Sequence, residues 1–386
     1  MVSREIKILL VLICTANLFS FNSYAQQKSD DNKSGKELLV FKREVILSGG
    51  WSTLQTEPAG RQSVGFELLQ VFSGKQGDWG KLLLQFRLAR YDNAYMLMNE
   101  TKMPLMHLNS FNTWAAEFHD AYFEYGGKLK GKLALRLGHF DVPFGLEENE
   151  HTHSTLVQLM SMRNIGFKKD WGLSVLGRLA KLDYNFAITR GSGVYLVNRR
   201  HNFLISGRVG TPADENFIMG ISAIYGRPID QMATMRGMKM ESMGGMNSGM
   251  GTMNPVMQPS WFGSDTKPAH DIIARWRTGI DLVSLIGPFV AKGEVSYGKD
   301  VNQDIFNALA GLSCNLKSTL MAVAQFQYAY QNISDVGSKK DVFALLGLNY
   351  KLSPYITFMT SFTGDIKRLK KNRNANTVSA QIYFYW

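Results

Sequence analysis

The stretch Asn376 to Trp386 reads NTVSAQIYFYW, and its odd and even positions separate by character. Asn376, Val378, Ala380, Ile382, Phe384 and Trp386 form a mostly apolar set, and Thr377, Ser379, Gln381, Tyr383 and Tyr385 form a polar one. A period of two is the signature of a strand whose successive side chains point to opposite faces. In a soluble sandwich the apolar face would look into a core. In a membrane barrel the same face looks outward at lipid, and the polar face lines the lumen.

Working back from this strand, segments of similar character fall at about 42–56, 64–74, 81–92, 113–126, 132–145, 170–180, 182–191, 202–210, 216–227, 270–284, 289–300, 306–317, 320–332, 341–352, 355–366 and 375–386. Their number is sixteen, an even count as single-chain bacterial barrels require. Leu84, Phe86 and Leu88 alternate with Gln85, Arg87 and Ala89, and Ala274, Trp276, Thr278 and Ile280 alternate with Arg275, Arg277, Gly279 and Asp281. Trp114 to Tyr125 alternates poorly, which predicts a β-bulge. The long gaps, 93–112, 146–169, 192–201 and 228–269, each follow an odd-numbered strand, whereas gaps after even-numbered strands are short. Long extracellular loops alternating with short periplasmic turns produce this parity. The expectation is an all-β fold, a 16-stranded antiparallel transmembrane barrel of the bacterial outer membrane. A final strand ending on an aromatic resembles the insertion and closure signal of such barrels.

The beginning of the chain agrees. Arg4 and Lys7 precede the apolar run Ile8 to Phe19 and then Ser23-Tyr24-Ala25, the layout of a secretory signal peptide over 1–25. Residues 26–41 read as a flexible periplasmic lead-in and 42–386 as the barrel, with a methionine-rich extracellular loop at about 228–269. Outside 1–25 the only cysteine is Cys314, so an intramolecular disulfide is excluded. The formal net charge is +11, or +10 without Arg4, Glu5 and Lys7. The basic residues are scattered singly along strand-like stretches, with Lys370, Lys371 and Arg373 the main clustered exception, which argues against nucleic acid as a partner. Outer-membrane lipid and small solutes are the expected partners.

With the polar set inward, Arg87, Arg136, Arg178, Arg208, Arg275 and Arg277 project into the pore. A lipid-facing charge would cost ~2–4 kcal/mol at the midplane, so energetics and alternation agree. Rings of such residues favour anions. The plainer alternative is that they pair with Glu117, Glu124, Asp281 or Glu294 and fill the wall.

Arg136 to Glu147, RLGHFDVPFGLE, resembles the strand-to-loop motif of the phosphate-selective porin O/P family. Gly138, Phe140, Pro143, Phe144, Gly145, Leu146 and Glu147 match that motif, and Arg163 to Gly166 and Trp171 to Gly177 resemble the family's next strand. The resemblance covers about 115–195 and the last strand. It implies a sixteen-stranded homotrimeric porin whose third loop, 146–169, folds inward, with Phe140, Pro143, Phe144, Gly145 and Glu147 as the constriction motif. Pro143 lacks a ladder donor and Gly145 permits an unusual dihedral, so the wall strand should end there. Phosphate selectivity in that family relies on clustered basic loop residues. Here the loop opens with Glu147, Glu148 and Glu150, so the resemblance supplies the channel and leaves the solute open.

Fifteen of the nineteen methionines fall in three of the long gaps. They are Met96, Met98, Met103 and Met106; Met160 and Met162; and Met232, Met235, Met238, Met240, Met243, Met246, Met250, Met253 and Met257. His107, His151 and His153 lie in the same gaps. Thioether sulfur suits Cu(I) or Ag(I), and imidazole adds a ligand for copper. The competing readings are drifted low-complexity sequence, an adaptable apolar surface and an oxidation sink. No cofactor is required, and copper or silver ions at the loops are the candidate metals. The reading is a non-enzymatic porin, a passive channel for small hydrophilic, preferentially anionic solutes, with a copper-handling role as the alternative. A wall hydrolase built on His119-Asp120 and His139-Asp141 is a third reading, for which no serine is singled out by spacing.

Overall fold

The computed structural model describes residues 38–52, 59–74, 77–92, 114–126, 132–146, 160, 164–193, 201–229, 272–301, 303–333, 337–366 and 376–386. Sixteen strands alternate along the chain. The first eight are β1 (Leu38–Ser52), β2 (Ala59–Gly74), β3 (Gly77–Asp92), β4 (Trp114–Tyr125), β5 (Ala134–Asp141), β6 (Lys169–Leu179), β7 (Leu182–Thr189) and β8 (Phe203–Gly210). The rest are β9 (Phe217–Arg227), β10 (Arg275–Ile286), β11 (Phe289–Asp300), β12 (Gln303–Lys317), β13 (Leu320–Ile333), β14 (Gly337–Ser353), β15 (Ile356–Asp365) and β16 (Asn376–Tyr385). Each pairs antiparallel with its sequence neighbours, and β1 pairs with β16 to close the barrel. Closure leaves no open edge, the condition for a sheet to cross lipid.

The closing strand behaves as its sequence implies. Val378 and Trp386 are exposed on the outside. Tyr383 and Tyr385 point inward, where the Tyr383 hydroxyl donates to Glu44 and the Lys42 ammonium sits 5.5 Å from the Tyr385 ring centre. The same alternation runs round the wall. Leu137, Ile188, Ile221, Ile280 and Leu346 are all more than half exposed, an apolar outer band facing lipid. Aromatic clusters mark its two edges. Phe72, Trp79, Phe123 and Tyr125 pack together near the short turns, and Trp276 with Tyr297 and Phe306 with Tyr328 lie near the long loops.

Several boundaries differ from the sequence reading by a few residues, among them those of β1, β5 and β14. β1 begins at Leu38, inside the expected lead-in, because Leu38 to Phe41 find partners on β2 from Val71 to Leu68. β14 starts at Gly337, extended by pairing with the end of β13. β5 stops at Asp141, ahead of Pro143. The bulge expected in 114–125 is present: Leu84 pairs with Ala121 and Phe86 with Phe118, so His119 and Asp120 share the single position of Gln85.

A candidate permeation pathway

Beyond β5 the chain leaves the wall and turns into the lumen. Val142 N–H donates to Lys168 O at 2.9 Å, closing the neck of the excursion. Pro143 cannot donate to a ladder, and Gly145 has φ 61, a left-handed value suited to glycine. Both limbs then pack on the inner face of the barrel. Val142, Phe144, Ile165 and Phe167 form a buried cluster with Leu204 of β8 and Ile224 of β9. Leu146 and Met160 reach Leu309 of β12, beside Val283 of β10. The wall makes room for them: a Cβ on Gly279 of β10 would lie 3.1 Å from the tip of the Phe144 ring.

Polar contacts fix the docking. Gly145 N–H donates to Ser222 Oγ at 3.0 Å, and Leu146 N–H donates to Glu294 at 3.0 Å. Asn164 donates to Glu294 at 2.8 Å and accepts from Ser296 at 2.7 Å and Asn307 at 2.8 Å. Arg275 donates to the carbonyl of Ile165. The inner face of β8–β12 is therefore covered by the inward segment.

The opposing inner face, β13–β16 with β1–β4, carries a different chemistry. Gln325, Gln327, Asn349, Ser361, Thr363 and Thr377 supply amides and hydroxyls, interrupted by Phe343, Leu345 and Met359. Sequence inspection did not single out this amide wall. Its signal is the regular inward position of Gln and Asn between outward Phe326, Leu346 and Leu348.

The six arginines all point inward, and each meets a carboxylate. Arg87 pairs with Glu44, Nε lying 3.0 Å from the carboxylate. Arg136 pairs with Glu124 at 2.8 Å, and Lys81 binds the same carboxylate at 3.0 Å. Arg208 pairs with Asp281 at 2.5 Å. Arg275 and Arg277 share Asp300 at 2.8 and 2.7 Å. Arg178, at the short-turn end, binds Asp183 at 2.6 Å and Asp214 at 2.8 Å. That hydrogen bond holds the Asp214 carboxyl, in the exposed turn between β8 and β9, below the usual carboxylate range. Of the two readings, pairing describes the wall: Arg136 meets Glu124 and Arg208 meets Asp281 as the plainer alternative named, and the other arginines meet acids that it did not name. For the buried ones an isolated charge would be far costlier than a matched one.

Of the constriction motif, Phe140 and Phe144 are fully buried, Pro143 is buried and Gly145 makes the turn. Glu147 lies outside the described residues. So do the proposed metal ligands Met96, Met98, Met103, Met106, His107, His151, His153, Met232, Met235, Met238, Met240, Met243, Met246, Met250, Met253 and Met257. Met160, counted with the loop methionines, is 1% exposed and packs on Leu146 and Leu309 as an apolar filler. His139 lies on the wall beside Trp171, with Nδ1 2.6 Å from His119 O, and Asp120 and Asp141 both bind Lys169.

No protein-family description and no curated protein matches the chain. Solved structures do. OmpT of Vibrio cholerae, in a trimer form, matches with a TM-score of 0.55 at 9% identity, over 91% of this chain and 99% of that one. OprB of Pseudomonas putida gives 0.57 at 10% identity, over 91% and 94%. An anion-selective porin from Comamonas acidovorans gives 0.55 at 10%, over 91% and 100%. At such identities the likeness is one of fold. With its closed sixteen-stranded wall and apolar outer band, the chain is a porin-like barrel of the bacterial outer membrane.

Proposed function

We propose that the barrel is a passive, non-enzymatic channel for small hydrophilic solutes, of the kind formed by the phosphate-selective porin O/P family that the 136–147 motif resembles. One observation carries this reading. The two limbs of an inward segment dock on β8–β12, opposite a wall of amides, hydroxyls and ion pairs, the arrangement expected of a barrel whose passage is polar and narrowed from one side. Anions are the preferred class. On the open face Lys81 and Arg136 share the single carboxylate of Glu124, which leaves a local positive excess. Purified protein in planar bilayers should give stepwise ohmic conductance, and its reversal potential in a KCl gradient should have the sign of chloride preference. A folded barrel without conductance in any salt sinks the channel. Cation preference would transfer selectivity to the acids Glu147, Glu148 and Glu150.

The trimer form of the Vibrio cholerae OmpT supports a homotrimer here. The second reading, Cu(I) or Ag(I) capture by the methionine and histidine loops, is supported by topology: β3, β5 and β9 all end at the same rim, so their following loops start together. Deleting 232–257 should leave the barrel folded and chloride conductance unchanged while lowering Cu(I) binding. Equal Cu(I) binding by a Met-to-Leu loop variant removes the metal from the proposal.

A further inference from the structure

Glu294, on β11, is 3% exposed and bridges the two limbs of the inward segment. One carboxylate oxygen accepts from Leu146 N–H at 3.0 Å, and the other accepts from Asn164 Nδ2 at 2.8 Å. Asn164 is fully buried, and its own oxygen is occupied by Ser296 Oγ at 2.7 Å and Asn307 Nδ2 at 2.8 Å. The orientation of its amide is thereby fixed, with nitrogen toward Glu294. Across the register Glu294 faces Asp281, which is matched by Arg208, and among the described residues no cation forms an ion pair with Glu294 itself. Its donors are therefore neutral groups contributed by the inward limbs. A Cβ on Gly145 would collide with the same carboxylate, so the turn is shaped to its position.

We infer that Glu294 and Asn164 are the positioning pair that holds the inward segment on the β9–β12 wall and thereby sets the width of the passage. The inference rests on the channel reading but can be tested apart from it. A buried carboxylate whose compensation comes from two limbs keeps that compensation only while both limbs stay docked. Polarity gives a specific test. Asn164→Asp would set two carboxylates against each other, whereas adding Glu294→Gln would return an amide donor to that contact. In the double variant, the glutamine oxygen still accepts from Leu146 N–H, and the aspartate still accepts from Ser296 and Asn307.

The readout independent of conductance is thiol labelling of Leu146→Cys, a position 1% exposed in the parent, in a Cys314→Ser background. Asn164→Asp should accelerate labelling by a charged maleimide about tenfold and raise single-channel conductance about twofold, and Glu294→Gln added to it should bring both back near the parent. Unchanged labelling in a folded Asn164→Asp barrel, or a double variant no closer to the parent than the single, overturns the inference. Should Asn164→Asp fail to fold, Asn164→Ala removes the donor without adding charge and is read by the same labelling, faster for the inference and unchanged against it. If no barrel conducts, the parent included, the channel reading fails while labelling still decides the positioning role.

Discussion

The two inner faces of the barrel use the same residue types to different ends. On β8–β12 the ion pairs are sealed beneath the inward segment: the side chains of Arg208 and Asp281 are 7% and 0% exposed, and that of Arg277 is fully buried. On the opposing face the pairs are open to the lumen, Lys42 with Glu67 at 34% and 21% and Lys81 with Glu124 at 37% and 14%. Arg87 is the exception there, tucked against Glu44. A charge pair takes its energetic weight from its surroundings. Stripped of water, its members are costly to separate; in a hydrated lumen, solvent and salt screen them. The covered face therefore acts as a structural anchor, and in the proposed channel the open face is the surface that solutes would meet.

The sharpest way to break this contrast is Asp300→Ala. Among the described residues it leaves Arg275 and Arg277 with only the carbonyls of Ile165 and Trp276, and it should destabilise the barrel by about 3–5 kcal/mol in urea titrations of the lipid-reconstituted protein. Phe144→Ala should cost about 3 kcal/mol, concentrated in the docking of the inward segment on Gly279, Leu204 and Ile224, and should raise conductance while the barrel stays folded. On the open face, Glu67→Ala should cost no more than about 1 kcal/mol, and less in high salt. An Asp300→Ala effect as small as that of Glu67→Ala would abolish the distinction between the faces.

At the solvent-exposed rim the smallest effect is expected. The Asp214 carboxyl is depressed by its hydrogen bond from Arg178, so any stabilisation it gives is present above the ordinary carboxylate pKa and disappears as pH falls through the lowered value. Being fully exposed, it should contribute nothing measurable: Asp214→Asn should unfold with the parent at pH 7 and also at pH 3. A clear difference at pH 7 that vanishes at pH 3 would show that rim pairs matter here.

Much of this fold is written locally. Strand alternation requires only that successive side chains point to opposite faces, so Ile280 outward and Asp281 inward could be read from neighbouring letters, as could the closing strand's tyrosines. Pro143 and Gly145 announced the end of β5 because a missing donor and a positive φ are properties of single residues. What the sequence could not supply is which groups meet across the barrel. Arg208 and Asp281 lie 73 residues apart, Asn164 and Glu294 130, and Leu146 and Glu294 148. Those meetings depend on closure and register, which no local pattern encodes. For the same reason Met160, alike in sequence to the other loop methionines, is an apolar filler against Leu309: burial is decided by what the folded chain lays over a residue.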